Sequence, residues 1–179
     1  MKMEIQPTEG QLSALQGNES VQTLGAWPDV ALVSVKHNGT RYVRDHLIGW
    51  DIPVIQIHIE HVTNTYSGRQ VVIPIRNTYM CFLTWWKNIH DARDEPVILR
   101  EFLNAWHKLD EWIDSLEIDP VIFFVDRQNI QDLAALAGVP YTPIIDRGQS
   151  AHYICDKYIQ PRKEAFPQEI RDIAQRWGY

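Results

Sequence analysis

The chain has 179 residues, of which 45% are hydrophobic and 22% charged, the size and composition of a single globular domain. Its 17 Lys and Arg against 23 Asp and Glu give a formal charge of −6, the wrong sign for a protein that binds nucleic-acid phosphates. No apolar run approaches the roughly 18 residues that a membrane span needs. We therefore expect one domain over residues 1–179, with neither nucleic-acid binding nor membrane association.

The cysteines and the N-terminal residues predict where the protein works. Cys81 and Cys155 lie far apart in a chain large enough to fold without disulfides, so we expect both to be reduced, as in a cytoplasm. No apolar stretch follows Lys2, and an export signal is not expected. Residues 1–27 are polar with a weak helical signal, and we interpret them as a peripheral lead-in.

Strand and helix patterns alternate along the rest of the chain. Short apolar runs predict strands at 30–35, 54–60, 70–76 and 121–126. Helical spacing and helix-ending signals predict helices at 40–48 (closed by Gly49), at 77–90, at 97–116 and before Gly138 and Pro140. This alternation favours an α/β fold, a three-layer domain with a mainly parallel central sheet flanked by helices.

The first strand leads through a short loop with a glycine into a helix. This geometry points backbone N–H groups and the positive end of a helix dipole at an anion, so we expect Asn38, Gly39, Thr40 and Arg41 to lie over a phosphate. The loop is not a Walker A sequence, because Thr40 and Arg41 follow Gly39 where Lys and then Ser or Thr would be required. An ordinary strand-to-helix turn, capped by Asn38 or Thr40, is the alternative.

A later strand ends at Arg76, and Thr84 lies on the helix that follows it. Helical spacing groups Thr84 with the other members of a small polar stripe, Asn77, Cys81 and Asn88, and predicts a buried face made of Tyr79, Phe82, Leu83 and Trp86. The Thr84 hydroxyl is then free to join Arg76 in holding a phosphate. The alternative is a solvent-facing Thr84 beside an Arg76 that is bound to a carboxylate.

Three segments resemble sulfotransferases that use 3′-phosphoadenosine 5′-phosphosulfate (PAPS). Residues 31–41 resemble the family's 5′-phosphosulfate loop, residues 71–86 resemble its 3′-phosphate site, and residues 119–140 resemble its late strand, helix and closing turn. The resemblance implies a P-loop nucleotide-hydrolase-like fold. It also implies transfer of a sulfuryl group from PAPS to an acceptor hydroxyl, with 3′-phosphoadenosine 5′-phosphate (PAP) as product and no metal ion. The acceptor and the oligomeric state stay open.

The same resemblance implies the residues that bind the donor. Arg147, in the segment 146–148, is similar to a late basic residue that closes over the nucleotide, with a plain turn as the alternative. The full expected donor-binding set is Lys36, His37, Asn38, Gly39, Thr40, Arg41, Arg76, Thr84 and Arg147.

The chain departs from the family pattern at the loop cation. The family has Lys two positions before the loop glycine, whereas this chain has His37 there and Lys36 one position earlier. The chain is also short for the family and lacks a long acceptor-binding insertion. The resemblance gives the loop cation the task of stabilising the leaving phosphate. Lys36 is charged at neutral pH, whereas His37 needs its pKa raised, which nearby phosphates favour, and we expect both to contact the donor.

The base for the acceptor hydroxyl is expected after the second strand. Residues 54–60 alternate, so that His58 and Glu60 share a polar face near the strand end where α/β sheets bind ligands. In the sulfotransferases that the chain resembles, the base near this strand is Glu in some branches and His in others. We predict Glu60 as the base, followed by His58 and then His61.

Two other functions remain open on the sequence. Residues 121–126 have the form of a Walker B strand, four or more apolar residues followed by Asp126, which suggests a P-loop kinase or NTPase. His37 in place of lysine suggests instead a non-catalytic nucleotide-binding protein of the sulfotransferase type.

Overall fold

The computed structural model describes residues 26–62, 69–89, 93–143 and 162–179. Within these residues four strands form one sheet in the order β2-β1-β3-β4. The strands are β1 (Val30–Ser34), β2 (Val54–His58), β3 (Gln70–Ile75) and β4 (Val121–Phe124). All three pairings are parallel, so the connections between consecutive strands cross over the sheet, and helices form the connections from β1 to β2 and from β3 to β4.

Within the described residues, five helices flank this sheet. They are α1 (Thr40–Gly49), α2 (Thr78–Ile89), α3 (Glu95–Asp114), α4 (Ile130–Leu136) and α5 (Gln168–Arg176). The same part of the chain also contains two short 3-10 turns, Ile59–His61 and Lys163–Ala165. Among the described residues, no helix combines the length and the apolar character that a membrane crossing requires.

The sheet separates two apolar cores. On one face, Leu32 and Phe123 pack with buried residues of α1 and α4, such as Leu47 and Leu133. On the other face, the alternate strand residues pack with α2, α3 and α5, and the largest buried side chains there include Phe102 and Trp106. The α/β fold with a parallel sheet and helices on both faces is therefore confirmed. Its likeness to P-loop nucleotide hydrolases stays a prediction.

The second strand is shorter than its alternating pattern predicts. It ends at His58, and Ile59 is fully buried at the start of the 3-10 turn. Glu60 therefore lies on this turn rather than on the strand face that it was expected to share with His58. Strand pairing stops at His58 because Ile59 is buried in the core at the start of the 3-10 turn.

The helix α2 buries a different face from the one that its polar stripe predicts. Leu83 is 39% exposed, whereas Cys81 and Trp85 are buried together with Tyr79 and Phe82. Helix α2 packs against both α3 and α5, so its buried arc is wider than one apolar stripe. Cys81, expected on the polar side, lies in the core.

The order of the strands creates a topological switch point between β1 and β3. The chain leaves β1 toward β2 through α1, on one face, and leaves β3 toward β4 through α2 and α3, on the other face. The two connections diverge at the carboxyl ends of β1 and β3, and open α/β sheets bind ligands in the crevice that forms there.

Candidate functional site

The loop between β1 and α1 has a strained backbone that requires its glycine. His37 has φ 65° and Gly39 has φ 80°, both in the left-handed region. A Cβ on Gly39 would lie 2.9 Å from a methyl carbon of Val125, closer than real side chains approach. Below the loop the hydroxyls of Ser34 and Thr40 are 2.6 Å apart and join the strand end to the helix start. The sequence thus fixes one tight loop conformation here.

Burial divides the expected donor-binding residues of this loop into two groups. Asn38 is fully buried, and Thr40 is 6% exposed. Lys36 and His37 are half-buried, and Arg41 is exposed on the first turn of α1. A ligand that approaches from solvent meets Lys36, His37 and Arg41 first, whereas the side chains of Asn38 and Thr40 are buried.

Lys36 pairs with the residue expected to be the base. Its Nζ lies 3.4 Å from Oε1 of Glu60 and 5.9 Å from the ring centre of Trp85. The backbone carbonyl of Lys36 accepts a hydrogen bond from Sγ of Cys81, at 3.2 Å. Burial raises the pKa of Cys81 to about 12, so this thiol stays protonated and keeps donating. Helix α2 therefore contacts Lys36 twice, with the ring of Trp85 near its ammonium group and the thiol of Cys81 at its backbone carbonyl.

Arg76 leaves the end of β3 and reaches the same loop. One guanidinium nitrogen donates to the carbonyl oxygen of His37 and to the hydroxyl oxygen of Thr84, each at 3.4 Å. Both distances exceed the usual range of about 2.7 to 3.2 Å. The Thr84 hydroxyl itself donates to the carbonyl of Met80 at 2.8 Å. Thr84 thus lies beside Arg76 as the spacing predicts, but its hydroxyl must rotate before it can donate to a phosphate.

The two histidines of the site favour their neutral forms. Burial lowers the pKa of His37, and the positive charges of Arg76, His58 and Lys36 lower it further. Burial also lowers the pKa of His58, although the nearby Glu60 carboxylate acts in the opposite direction. His37 therefore adds little positive charge to this loop at neutral pH, unless a bound anion raises its pKa.

The 3-10 turn places the candidate bases beside the loop. Nδ1 of His58 and Oε2 of Glu60 are buried and have no hydrogen-bond partner within the described part of the chain. Lys108 of α3 donates to the backbone carbonyl of Glu60 at 3.0 Å and fixes the turn. His61 is exposed at the end of the turn. Of the three candidates, Glu60 and His58 lie near Lys36.

Two further residues, Asp126 and Tyr179, lie near the carboxyl ends of the strands and were not in the expected donor-binding set. Asp126 accepts the backbone N–H of Asn77 at 3.0 Å on one oxygen and the Tyr179 hydroxyl at 2.5 Å on the other. Both oxygens of the Walker B-like aspartate thus already accept hydrogen bonds from protein groups. No local pattern links Tyr179 to residues so far away in the chain, so only the tertiary structure reveals the contact.

Most of the expected site residues gather at the switch point between β1 and β3. The loop residues Lys36 and His37, the base candidates His58 and Glu60, and Arg76 with Thr84 form one continuous cluster. Arg147 lies outside the described residues. No protein-family model, curated protein or solved structure matches the chain, so its likeness to sulfotransferases rests on the motif residues alone.

Proposed function

We propose that this protein is a sulfotransferase that moves a sulfuryl group from PAPS to an acceptor hydroxyl. The observation that carries the proposal is the meeting of two loops at the switch point. Arg76 from the end of β3 is bonded to the backbone of His37 in the loop after β1. PAPS has two phosphate-bearing ends, and two neighbouring cationic sites from different strands suit such a ligand.

The residues present fit the donor in specific ways. A phosphosulfate at the first loop would meet the accessible side chains of Lys36, His37 and Arg41. A 3′-phosphate at Arg76 would give the guanidinium an anionic acceptor in place of long hydrogen bonds to two neutral oxygens. We assign the contacts of Asn38, Gly39 and Thr40 to loop shape and backbone N–H groups, because their side-chain positions are buried.

The chemistry follows from the same placement. The acceptor oxygen attacks sulfur, a new oxygen–sulfur bond forms, and the bond from sulfur to the 5′-phosphate oxygen breaks in line with it. Glu60 takes the acceptor proton, and the Lys36 ammonium stabilises the charge that develops on the leaving phosphate. Because Lys36 and Glu60 pair with each other in the described structure, donor binding at Lys36 also frees the Glu60 carboxylate to act as base.

The P-loop kinase alternative is less well supported. A Walker B aspartate serves to hold a magnesium ion, whereas Asp126 accepts hydrogen bonds from Asn77 and Tyr179 on its two oxygens. A requirement for Mg²⁺ in nucleotide binding or turnover would favour the kinase. A non-catalytic nucleotide-binding protein would bind PAP but form no product from PAPS with any acceptor.

Calorimetry with PAP and AMP tests the proposal. PAP should bind more tightly than AMP, and Arg76→Ala should weaken PAP by about tenfold or more with little effect on AMP. Arg69→Ala is the matched control, because Arg69 pairs with Asp29 at 3.0 Å at the amino ends of β3 and β1, the other end of the strands from Arg76. Equal affinities for PAP and AMP in the wild type would overturn the proposal. Mass spectrometry with PAPS and a panel of hydroxyl acceptors then tests turnover.

A further inference from the structure

Asp126 connects the end of β4 to the turn that carries Arg76. Its carboxylate accepts the backbone N–H of Asn77, the residue after Arg76, and the hydroxyl of Tyr179. The Asn77 side chain in turn accepts the N–H groups of Tyr79 and Met80 at 3.1 and 3.3 Å and so caps the start of α2. The position of Asn77 therefore depends on Asp126 on one side and fixes the first turn of α2 on the other.

Tyr179 is held firmly in this network. Its backbone N–H donates to the carbonyl of Ala174 at 2.7 Å, and the guanidinium of Arg127 lies 3.7 Å from its ring centre. Arg127 also donates to the carbonyl of Gly178. Burial raises the pKa of Tyr179, and the Asp126 carboxylate raises it further, so the hydroxyl remains protonated and a hydrogen-bond donor.

We infer that Tyr179 is a positioning residue that fixes, through Asp126 and Asn77, the place of Arg76 and thereby the recognition of a second phosphate. This inference rests on the proposed function. When the Tyr179 hydroxyl is absent, the Asp126 carboxylate is free to turn toward Arg76 or Arg127, whose charges also act on Tyr179. It then releases the N–H of Asn77. Arg76, one residue away, loses its fixed direction, so a ligand with a 3′-phosphate is affected more than one without it.

The variant Tyr179→Phe tests the inference, since it keeps the ring under Arg127 and removes only the hydroxyl. We expect the ratio of PAP affinity to AMP affinity to fall about three- to tenfold, the net effect of one typical hydrogen bond. Hydrogen exchange of the Asn77 amide should accelerate even without ligand. The control is Tyr141→Phe, which removes a hydroxyl from a tyrosine near Trp50, a residue of the opposite core.

The outcomes separate this inference from the proposed function. If the wild type prefers PAP, and Tyr179→Phe keeps both this preference and the hydrogen-exchange rate of the Asn77 amide, the inference is wrong. If the wild type does not distinguish PAP from AMP, the proposed function fails, while the Asn77 exchange still tests the link from Tyr179. Asp126→Asn removes one of the two acceptor oxygens and is a second variant, with the same expected direction in both measurements.

Discussion

The ion pair between Lys36 and Glu60 joins two groups that the proposed reaction needs apart. Both side chains are partly exposed, 44% for Lys36 and 29% for Glu60, so water screens the pair and its net contribution to stability is small, at most about 1 kcal/mol. A pair this weak opens readily when a phosphate competes for the lysine. Its importance is therefore for ligand binding and chemistry rather than for folding.

The variant Glu60→Gln separates these two roles. Without the carboxylate Lys36 is no longer paired, so PAP should bind about two- to fivefold more tightly, the size of a partly exposed ion pair. Turnover should fall by about 10² to 10⁴, the usual effect of removing a general base. Calorimetry and a PAPS turnover assay measure the two effects. Glu101→Gln, which breaks the ion pair of Glu101 with Arg93, is the control and should change neither.

Unchanged turnover in Glu60→Gln would remove Glu60 as the base. His58 is then the next candidate, since its side chain is close enough to Glu60 and Lys36 for their charges to affect its pKa. If His58→Ala loses turnover while Glu60→Gln keeps it, His58 is the base.

The histidines of the site predict how stability depends on pH. The pKa values of His37 and His58 are lowered from the ordinary value of 6.5, so the unfolded chain binds protons that the folded chain does not. Their contribution to stability is present above pH 6.5 and is lost as the pH falls through their folded-state values. Denaturant unfolding should therefore give a lower free energy of unfolding at pH 5 than at pH 7.

Replacing both histidines with glutamine tests this source of the pH dependence. The double variant His37→Gln/His58→Gln should show a smaller decrease in stability between the two pH values, because neither glutamine titrates. His107→Gln, at an exposed position of α3, should keep the wild-type slope. An unaltered slope in the double variant would assign the acid sensitivity to other groups.

At the scale of elements, the β1–α1 connection depends on Gly39. The variant Gly39→Ala should destabilise the protein by about 1 to 3 kcal/mol, because alanine is strained at φ 80° and its Cβ would lie 2.9 Å from Val125. Gly49→Ala, within helix α1, should instead stabilise by about 0.5 to 1 kcal/mol. Denaturant titrations of both variants check the two signs. Similar effects at the two positions would contradict the role of Gly39.

The elements themselves were largely predictable from the sequence, and their ends were not. Strand β1 and helix α3 follow from apolar runs and helical spacing, since burial of one face controls both patterns. The end of β2 depends on the burial of Ile59, which local alternation does not report. The buried side of α2 includes Cys81 and Trp85 because contacts with α3 and α5, rather than the helical spacing of its own residues, decide which side is buried.

The site was predictable only where a motif is local. The loop 36–41 and the pair of Arg76 with Thr84 could be read from spacing along one strand and one helix. The ion pair of Lys36 with Glu60 and the contact of Tyr179 with Asp126 join different elements. Such contacts depend on strand order, and strand order is not encoded in any single segment.

At the scale of the whole molecule, the two apolar cores share one sheet, so we expect them to unfold together. Phe102→Ala on one face should cost about 3 to 5 kcal/mol, and Leu133→Ala on the other face about 2 to 5 kcal/mol, because both side chains are fully buried. In each variant, tryptophan fluorescence and far-ultraviolet circular dichroism should report a single shared transition. Separate transitions for the two probes would show that the two cores unfold independently.

The buried thiol of Cys81 makes the state of the Lys36 loop measurable. An alkylating reagent reacts with an exposed thiolate, and Cys81 is neither exposed nor ionised while its thiol donates to the carbonyl of Lys36. In a Cys155→Ser background, the rate of alkylation therefore reports how often the chain around this loop opens. A nucleotide bound to the loop should slow labelling, so the protein carries its own covalent reporter of occupancy.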